Sequence, residues 1–128
     1  MDKLRNTRPV TLPILKLHLP LAGWASLLHR VSGVLLFLAL PVVLYALDMS
    51  LRSQADYEFV LYTLAFPLVQ LAVLLLVWAL THHLFAGFRH IFMDMHWGIS
   101  LHASRRSARV VLIASLIVTG LTAWSLFA

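Results

Sequence analysis

The chain has 128 residues, of which 61% are hydrophobic and 12% are charged, and its formal net charge is +5. A soluble domain of this length cannot hide that much apolar surface, so the composition indicates a single-domain membrane protein. The absence of cysteine excludes disulfides and iron–sulfur or cysteine–zinc ligation within the chain, so any metal must be held by histidine. The basic residues cluster at the flanks of apolar runs, which argues against nucleic-acid binding.

Residues 1–20 form a basic segment that is punctuated by Pro9, Pro13 and Pro20. Proline removes an amide donor and disfavours helix in the residue before it, so we expect an extended arm here. The lysines and arginines of the arm indicate that it lies on the cytoplasmic side. The arm serves either to set the topology or to dock a soluble partner, and its sequence leaves both roles open.

The first predicted span covers residues 21–47, and its polar entry places Ser26, His29, Arg30 and Gly33 on one helix face. In a structural interpretation, Arg30 marks the membrane surface and Ser26 bonds to the helix backbone. In a functional interpretation, the same face forms a polar pocket that binds a carbonyl or a carboxylate.

A short loop at residues 48–58 leads to the second predicted span, residues 59–92, which contains Pro67. Proline is tolerated inside membrane helices because neighbouring helices satisfy the freed carbonyl, as we also expect for Pro41 in the first span. The second span is longer than the ~20 residues that a crossing needs, so its last turns are expected to project past the hydrocarbon.

The end of this span carries two helical stripes of chemically active residues. On a helix, His83, Gly87, His90 and Asp94 fall within about 60° of each other. The second stripe, about 100° away, contains His82, Ala86, Arg89 and Met93. A histidine followed by glycine one turn later suits a flat cofactor, since the imidazole ligates a metal and the missing side chain lets a ring lie against the helix. Alternatively, these histidines lie at the lipid–water boundary and bind nothing, although ionisable groups near membrane depth are costly and tend to be functional.

The third predicted span covers residues 107–127 and follows a basic loop at residues 95–108. Ser115, Thr119 and Thr122 share one face of this span, and small hydroxyl residues at such spacing predict close helix packing in lipid. We assign this span a structural role and no chemistry. The predicted architecture is therefore an all-α membrane protein, with residues 1–128 forming a single membrane-anchor domain of three transmembrane helices.

The distribution of lysine and arginine predicts the orientation of these spans. The arm and the second loop are basic, whereas the first loop has only Arg52, so the N-terminus is expected in the cytoplasm and the C-terminus in the periplasm. The polar ends of the first two spans then meet on the cytoplasmic side. There we expect one cluster of Ser26, His29, Arg30, His83 and His90.

Two motifs in the chain resemble those of the cytochrome b subunit of succinate dehydrogenase, the larger membrane anchor of respiratory complex II. They are Ser-x-x-His-Arg-x-x-Gly at residues 26–33 and His-x-x-x-Gly-x-Arg-His at residues 83–90. Asp94 and the arm sequence Arg8-Pro9-Val10 add to the match. The resemblance covers the whole chain, including its length and its three spans, and the two motifs at this separation are specific together.

The resemblance implies a four-subunit complex in the bacterial inner membrane. A flavoprotein subunit oxidises succinate to fumarate, and an iron–sulfur subunit passes electrons to ubiquinone at the cytoplasmic face of the anchor. This chain would contribute to the quinone-reduction site without performing the dehydrogenase chemistry, and the arm would touch the iron–sulfur subunit. The resemblance also implies one haem b, shared with a second small membrane anchor subunit. Membrane lipid is expected to contact the anchor itself.

The resemblance further implies roles for individual residues. His83 matches the axial ligand of the haem iron, and Gly87 favours it over the adjacent His82. Ser26 and Arg30 match quinone-site residues. The expected contacts to the haem propionates are His29, Arg30 and His90. The third span has no histidine and the first has only His29, at its polar end, so the chain does not easily complete a bis-histidine haem by itself.

Three competing functions are the anchor of a related fumarate reductase, a haem-free scaffold that only tethers a soluble partner, and a small proton or cation transporter. The transporter would use His90 and Asp94 as a relay. A transporter should carry ionisable residues deep in two or more spans, and the apolar stretches at 34–47 and 110–127 contain none, which counts against it.

Overall fold

The computed structural model describes residues 19–127, which form helices only. The helices are α1 (Leu21–Ser50), α2 (Gln54–Leu64), α3 (Pro67–Asp94) and α4 (Leu101–Phe127). Of these, α1, α3 and α4 are long and apolar enough to cross a membrane. The prediction of an all-α membrane protein with three spanning helices is confirmed. Most of the predicted arm, residues 1–18, lies outside the described residues.

The helix predicted over residues 59–92 is divided at Ala65 and Phe66 into α2 and α3. Pro67 is the first residue of α3, and Phe66 before it has an extended backbone, with φ −69° and ψ 131°. The helix breaks here because a residue before proline is disfavoured in the α conformation and proline has no amide hydrogen for the helical ladder. Pro41, by contrast, lies inside α1, which continues past it. The second spanning helix therefore begins at Pro67, later than predicted.

The loops are shorter than the sequence predicts. α1 continues to Ser50, and α4 begins at Leu101, so polar residues at both membrane surfaces lie in helical turns. The chain turns between α1 and α2 at residues 51–53. There Arg52 forms an ion pair with Asp48, and the hydrogen bonds to that carboxylate raise the pKa of Arg52. Ser53 then caps α2 by accepting a hydrogen bond from the amide of Asp56 at 3.1 Å.

Helices α1, α3 and α4 pack against each other through small residues. The buried apolar residues are Ala25, Ala79, Ala86, Ala108 and Val111, joined by the buried hydroxyls of Ser32 and Ser115. Small side chains let helix backbones approach closely in lipid, where van der Waals packing rather than water exclusion drives association. The large apolar side chains, such as Phe37, point outward and remain exposed. Ser115 of the predicted packing face is buried, and Thr119 and Thr122 beside it are half-buried.

α3 ends in a Schellman motif that fixes the position of Trp97. The amide of His96 donates to the carbonyl of Met93 at 3.0 Å, and the amide of Trp97 donates to the carbonyl of Phe92 at 2.9 Å. His96 takes the left-handed conformation of this motif, with φ 64°. The Trp97 ring stacks on Phe92 with centroids 6.1 Å apart, which is the hydrophobic contact that usually accompanies the motif.

Candidate functional site

Three histidines from α1 and α3 meet at one end of the helix bundle. The rings of His29 and His83 stack with centroids 4.2 Å apart, and the rings of His29 and His90 are 5.2 Å apart. Gly87 lies between His83 and His90 on the same face of α3, and a Cβ added at Gly87 would lie 3.8 Å from Nε2 of His29. The structure therefore brings together three of the five residues that were expected to cluster.

The hydrogen bonds of His83 determine which of its ring nitrogens is available. Its Nδ1 lies 3.1 Å from the carbonyl oxygen of His29 and 3.3 Å from the hydroxyl of Ser32. That hydroxyl itself donates to the same His29 carbonyl at 2.8 Å. A carbonyl oxygen only accepts hydrogen bonds, so Nδ1 of His83 carries the hydrogen and donates it. The lone pair on Nε2 of a neutral His83 is then free to bind a metal.

Gly33 allows the imidazole of His83 to approach α1 closely. A Cβ added at Gly33 would lie 3.0 Å from Cε1 and 3.4 Å from Nδ1 of His83, which is closer than ordinary side-chain contacts. Sequence analysis placed Gly33 on the polar face of the first span and gave neither it nor Ser32 a role. The signal for Ser32 was its spacing, since a serine three residues after His29 reaches that carbonyl on a helix.

His82 has a different environment from its neighbour His83. It is fully buried between the three spanning helices, and its two ring nitrogens lie 3.4 Å from the hydroxyl of Ser115 and 3.4 Å from the carbonyl oxygen of Ala25. Its ring stacks on Trp78 with centroids 5.5 Å apart. Both nitrogens of His82 thus face protein groups in the interior, and the side chain holds the helices together.

Ser26 and Arg30 lie on α1 one turn apart, at the same end as the histidine cluster. Ser26 is half-buried and Arg30 is exposed. Neither side chain forms a hydrogen bond with another of the described residues, 19–127. Both residues lie within one helical turn of His29 on α1, but neither side chain contacts the stacked histidine rings through a hydrogen bond.

Arg89, from the second predicted stripe, bonds to α4 rather than to the histidine cluster. Its guanidinium donates to the hydroxyl of Ser107 at 3.1 Å and to the hydroxyl of Ser104 at 2.9 Å. The side chain is only 7% exposed. These bonds tie the end of α3 to the start of α4, a role that sequence analysis missed because the serines were predicted to lie in or next to a loop.

The histidine cluster fits one side of a haem b site. An axial histidine needs one free ring nitrogen and a hydrogen bond that fixes the other, and His83 has both. Gly87 leaves the adjacent surface of α3 without a side chain, as a flat ring requires. His29 stacks face to face on His83, so the two imidazoles would not both bind one iron in this arrangement. Among residues 19–127, no group of three or more histidine or carboxylate side chains is arranged to hold a metal ion.

Comparisons with known proteins all indicate one family of membrane subunits. A family model described as the succinate dehydrogenase/fumarate reductase transmembrane subunit matches residues 4–122. The chain is 35% identical over 121 residues to the succinate dehydrogenase cytochrome b556 subunit of Coxiella burnetii, covering 91% of this chain and 97% of that protein. It is 26% identical over 121 residues to the cytochrome b556 subunit of Paracoccus denitrificans, covering 94% and 93%. It is 28% identical over 127 residues to the cytochrome b560 subunit of Reclinomonas americana, covering 94% and 86%.

Proposed function

The chain belongs to the succinate dehydrogenase/fumarate reductase transmembrane subunit family, and we propose that its His83 face holds a haem b beside a ubiquinone site. It is a membrane-anchor cytochrome b subunit of succinate dehydrogenase, a multi-pass membrane protein that works in a complex with other subunits of that enzyme. In our proposal the complex lies in the bacterial inner membrane. This chain helps pass electrons from the iron–sulfur subunit to quinone.

One observation carries the proposal for the haem, namely the hydrogen bond from Nδ1 of His83 to the carbonyl of His29. It holds the ring in one tautomer and leaves Nε2 as the nitrogen that would bind the haem iron. When bound, the haem supplies a one-electron redox centre within the membrane. In this proposal His29, Arg30 and His90 would bind the haem propionates, because they offer positive or hydrogen-donating groups at the same end of the bundle.

Ser26 and Arg30 are the proposed quinone-binding residues. They are four residues apart on α1, so both point toward one small headgroup. The serine hydroxyl donates a hydrogen bond to a quinone carbonyl. The guanidinium of Arg30 stabilises the negative charge that develops on the quinone oxygen as electrons arrive. Its exposure supports a site at the membrane surface, where protons enter from water.

The proposal includes partners and an orientation. A second small membrane anchor subunit supplies the other axial ligand, the iron–sulfur subunit delivers the electrons, and the flavoprotein subunit oxidises succinate. The N-terminus and the turn between α3 and α4 lie in the cytoplasm, and the C-terminus lies in the periplasm. The distribution of arginine supports this orientation, because Arg52 is the one basic residue of the first loop, whereas Arg105, Arg106 and Arg109 lie at the start of α4.

The proposal is tested by a reduced-minus-oxidised spectrum of the purified complex together with a succinate:ubiquinone reductase assay. We expect the absorption bands of a low-spin haem b and reduction of ubiquinone that depends on succinate. A complex that reduces a water-soluble acceptor at the flavoprotein but contains no haem would instead support a haem-free scaffold.

A further inference from the structure

A groove lies between α3 and α4, on the face of α3 that points away from the cluster of His29, His83 and His90. Its cavity has a volume of about 620 Å³. Phe85 and Phe92 line it from α3, and at about 100° per residue they lie about 160° and 180° around the helix from His83. A molecule in this groove would therefore not compete with anything bound at the histidine cluster.

The groove is amphipathic along its length. The part that runs into the membrane is lined by apolar side chains, including Phe85 and Ala114. The end near the α3–α4 turn is lined by Arg89, Arg106 and Trp97. From Arg106 to Ala114 the helix rises by about 12 Å, so the charged and apolar parts are separated along the membrane normal.

The charged end of the groove is strongly positive. His102, Arg105 and Arg109 surround a neighbouring cavity that shares Arg106 with the groove. Within residues 19–127, the one ion pair joins Arg52 to Asp48, at the end of α1 that is far from the groove. The positive charge at the mouth of the groove is thus not neutralised by a carboxylate of the described chain.

We propose that this groove binds an anionic phospholipid of the surrounding leaflet. Its phosphate would bind Arg106 at the membrane surface, next to the buried guanidinium of Arg89, and one acyl chain would lie along Phe85 and Ala114. Charge complementarity selects this occupant, because clusters of arginine at the membrane surface attract anionic headgroups. A neutral amphiphile would leave the arginines without a counter-charge, and an apolar partner helix would bury Arg106 without one.

The test uses the purified four-subunit complex, stripped of lipid in detergent and examined by native mass spectrometry. The probes are phosphatidylglycerol and phosphatidylcholine with identical acyl chains. We expect the complex to bind phosphatidylglycerol at a lower lipid concentration than it needs to bind phosphatidylcholine. Arg106→Gln should weaken its binding about tenfold or more, because a charge-assisted contact to phosphate is lost. The matched control Arg105→Gln removes the same charge beside the groove and should cost no more than about fivefold, the effect of diffuse attraction alone.

A second pair of variants tests the apolar part of the groove. Ala114→Phe fills it and should reduce binding of phosphatidylglycerol, whereas Leu116→Phe, at an exposed position outside the groove, should not. Arg89 is left unchanged because it bonds to Ser104 and Ser107. Equal binding of the two lipids, or equal losses in Arg106→Gln and Arg105→Gln, would overturn the proposal. So would phosphatidylglycerol binding that is unaffected by Ala114→Phe, since the lipid would then bind outside the groove.

Discussion

Adjacent histidines in α3 have different environments because successive residues of a helix point about 100° apart. His82 turns into the bundle and is fully buried, with its ring nitrogens directed at Ser115 and Ala25. His83 turns to the face shared with His29 and His90 and remains half-buried. One position in the chain thus separates a packing residue from a candidate ligand.

We expect His83→Ala to abolish low-spin haem and His82→Ala to retain it. His83→Ala removes the free Nε2, whereas His82→Ala removes a fully buried side chain and its hydrogen bond to Ser115, whose hydroxyl still donates to the Leu112 carbonyl, at a cost of about 1–3 kcal/mol in stability. The measurement is haem content and spin state per assembled complex. Added imidazole should partly restore the haem spectrum of His83→Ala only. Haem loss in His82→Ala with normal assembly, and none in His83→Ala, would reverse the assignment.

Ser26→Ala and Arg30→Leu should depress quinone reduction without affecting succinate oxidation by a water-soluble acceptor. Both substitutions remove groups proposed to bind the quinone headgroup, and the loss should be about tenfold or more where a hydrogen bond to developing charge disappears. The control is Ser50→Ala, which alters a serine at the other end of α1. Variants that assemble, keep haem and still reduce quinone at the unaltered rate would exclude Ser26 and Arg30 from the site.

Both ends of α3 are defined by its local sequence. Pro67 starts it, and the Schellman motif at His96 and Trp97 ends it. The second end matters for the groove between α3 and α4, since the motif holds Trp97 against Phe92, and both line the groove. The turn after α3 therefore holds two of the side chains that line the proposed lipid site.

His96→Gly should stabilise the turn after α3. A side chain in the left-handed conformation costs roughly 1 kcal/mol, and glycine avoids that cost. We expect the amides of His96 and Trp97 to exchange hydrogen about fivefold more slowly if local opening of the turn controls exchange. The control is Met95→Gly, because Met95 has φ −77° and gains nothing from glycine. Equal or faster exchange in His96→Gly than in Met95→Gly would contradict this account of the turn.

The bundle as a whole is a small-residue core surrounded by outward-facing large apolar side chains. The histidine cluster lies between α1 and α3, and the groove lies between α3 and α4 on the opposite face of α3. The face that carries His83 and Gly87 has no second imidazole across from His83 among residues 19–127, since His29 stacks on it instead. This arrangement supports a haem that is completed by a partner.

Expressed alone, the chain should bind haem weakly or in a high-spin form, and co-expression with the second anchor subunit should restore a low-spin spectrum. A low-spin b haem needs two strong axial ligands, and a half-open site admits water or added ligands. The control is co-expression with a partner whose candidate histidines are replaced. If the isolated chain forms a stable low-spin haem that His29→Ala abolishes, the second ligand is internal.

The orientation of the bundle is testable because the chain contains no cysteine, so an introduced thiol is unique in this subunit. Ser53→Cys lies on the turn between α1 and α2, and Ser100→Cys lies just before α4. With the proposed orientation, an impermeant maleimide should label Ser53→Cys in cells whose outer membrane is permeabilised and whose inner membrane is intact. Ser100→Cys should react only after the inner membrane is opened, and the opposite pattern would invert the topology.

The sequence by itself determined the class of protein and the number of spanning helices. Apolar content far above that of soluble domains leaves a membrane as the only suitable environment, and length and hydropathy are local properties that need no tertiary contact. The His83–Gly87 stripe followed from helical periodicity alone. The break before Pro67 was missed because proline was expected to leave a membrane helix continuous, and the same expectation held at Pro41.

Only the tertiary structure decided which groups meet across helices. The contact of His83 with the His29 carbonyl and Ser32, the close approach at Gly33 and the bonds of Arg89 to α4 all join residues distant in sequence. Periodicity gives the direction of a side chain around its own helix and carries no information on the rotation or depth of the neighbouring helix. That is why His82 and His83 both remained candidates in the sequence, and why packing against α1 and α4 separates their environments.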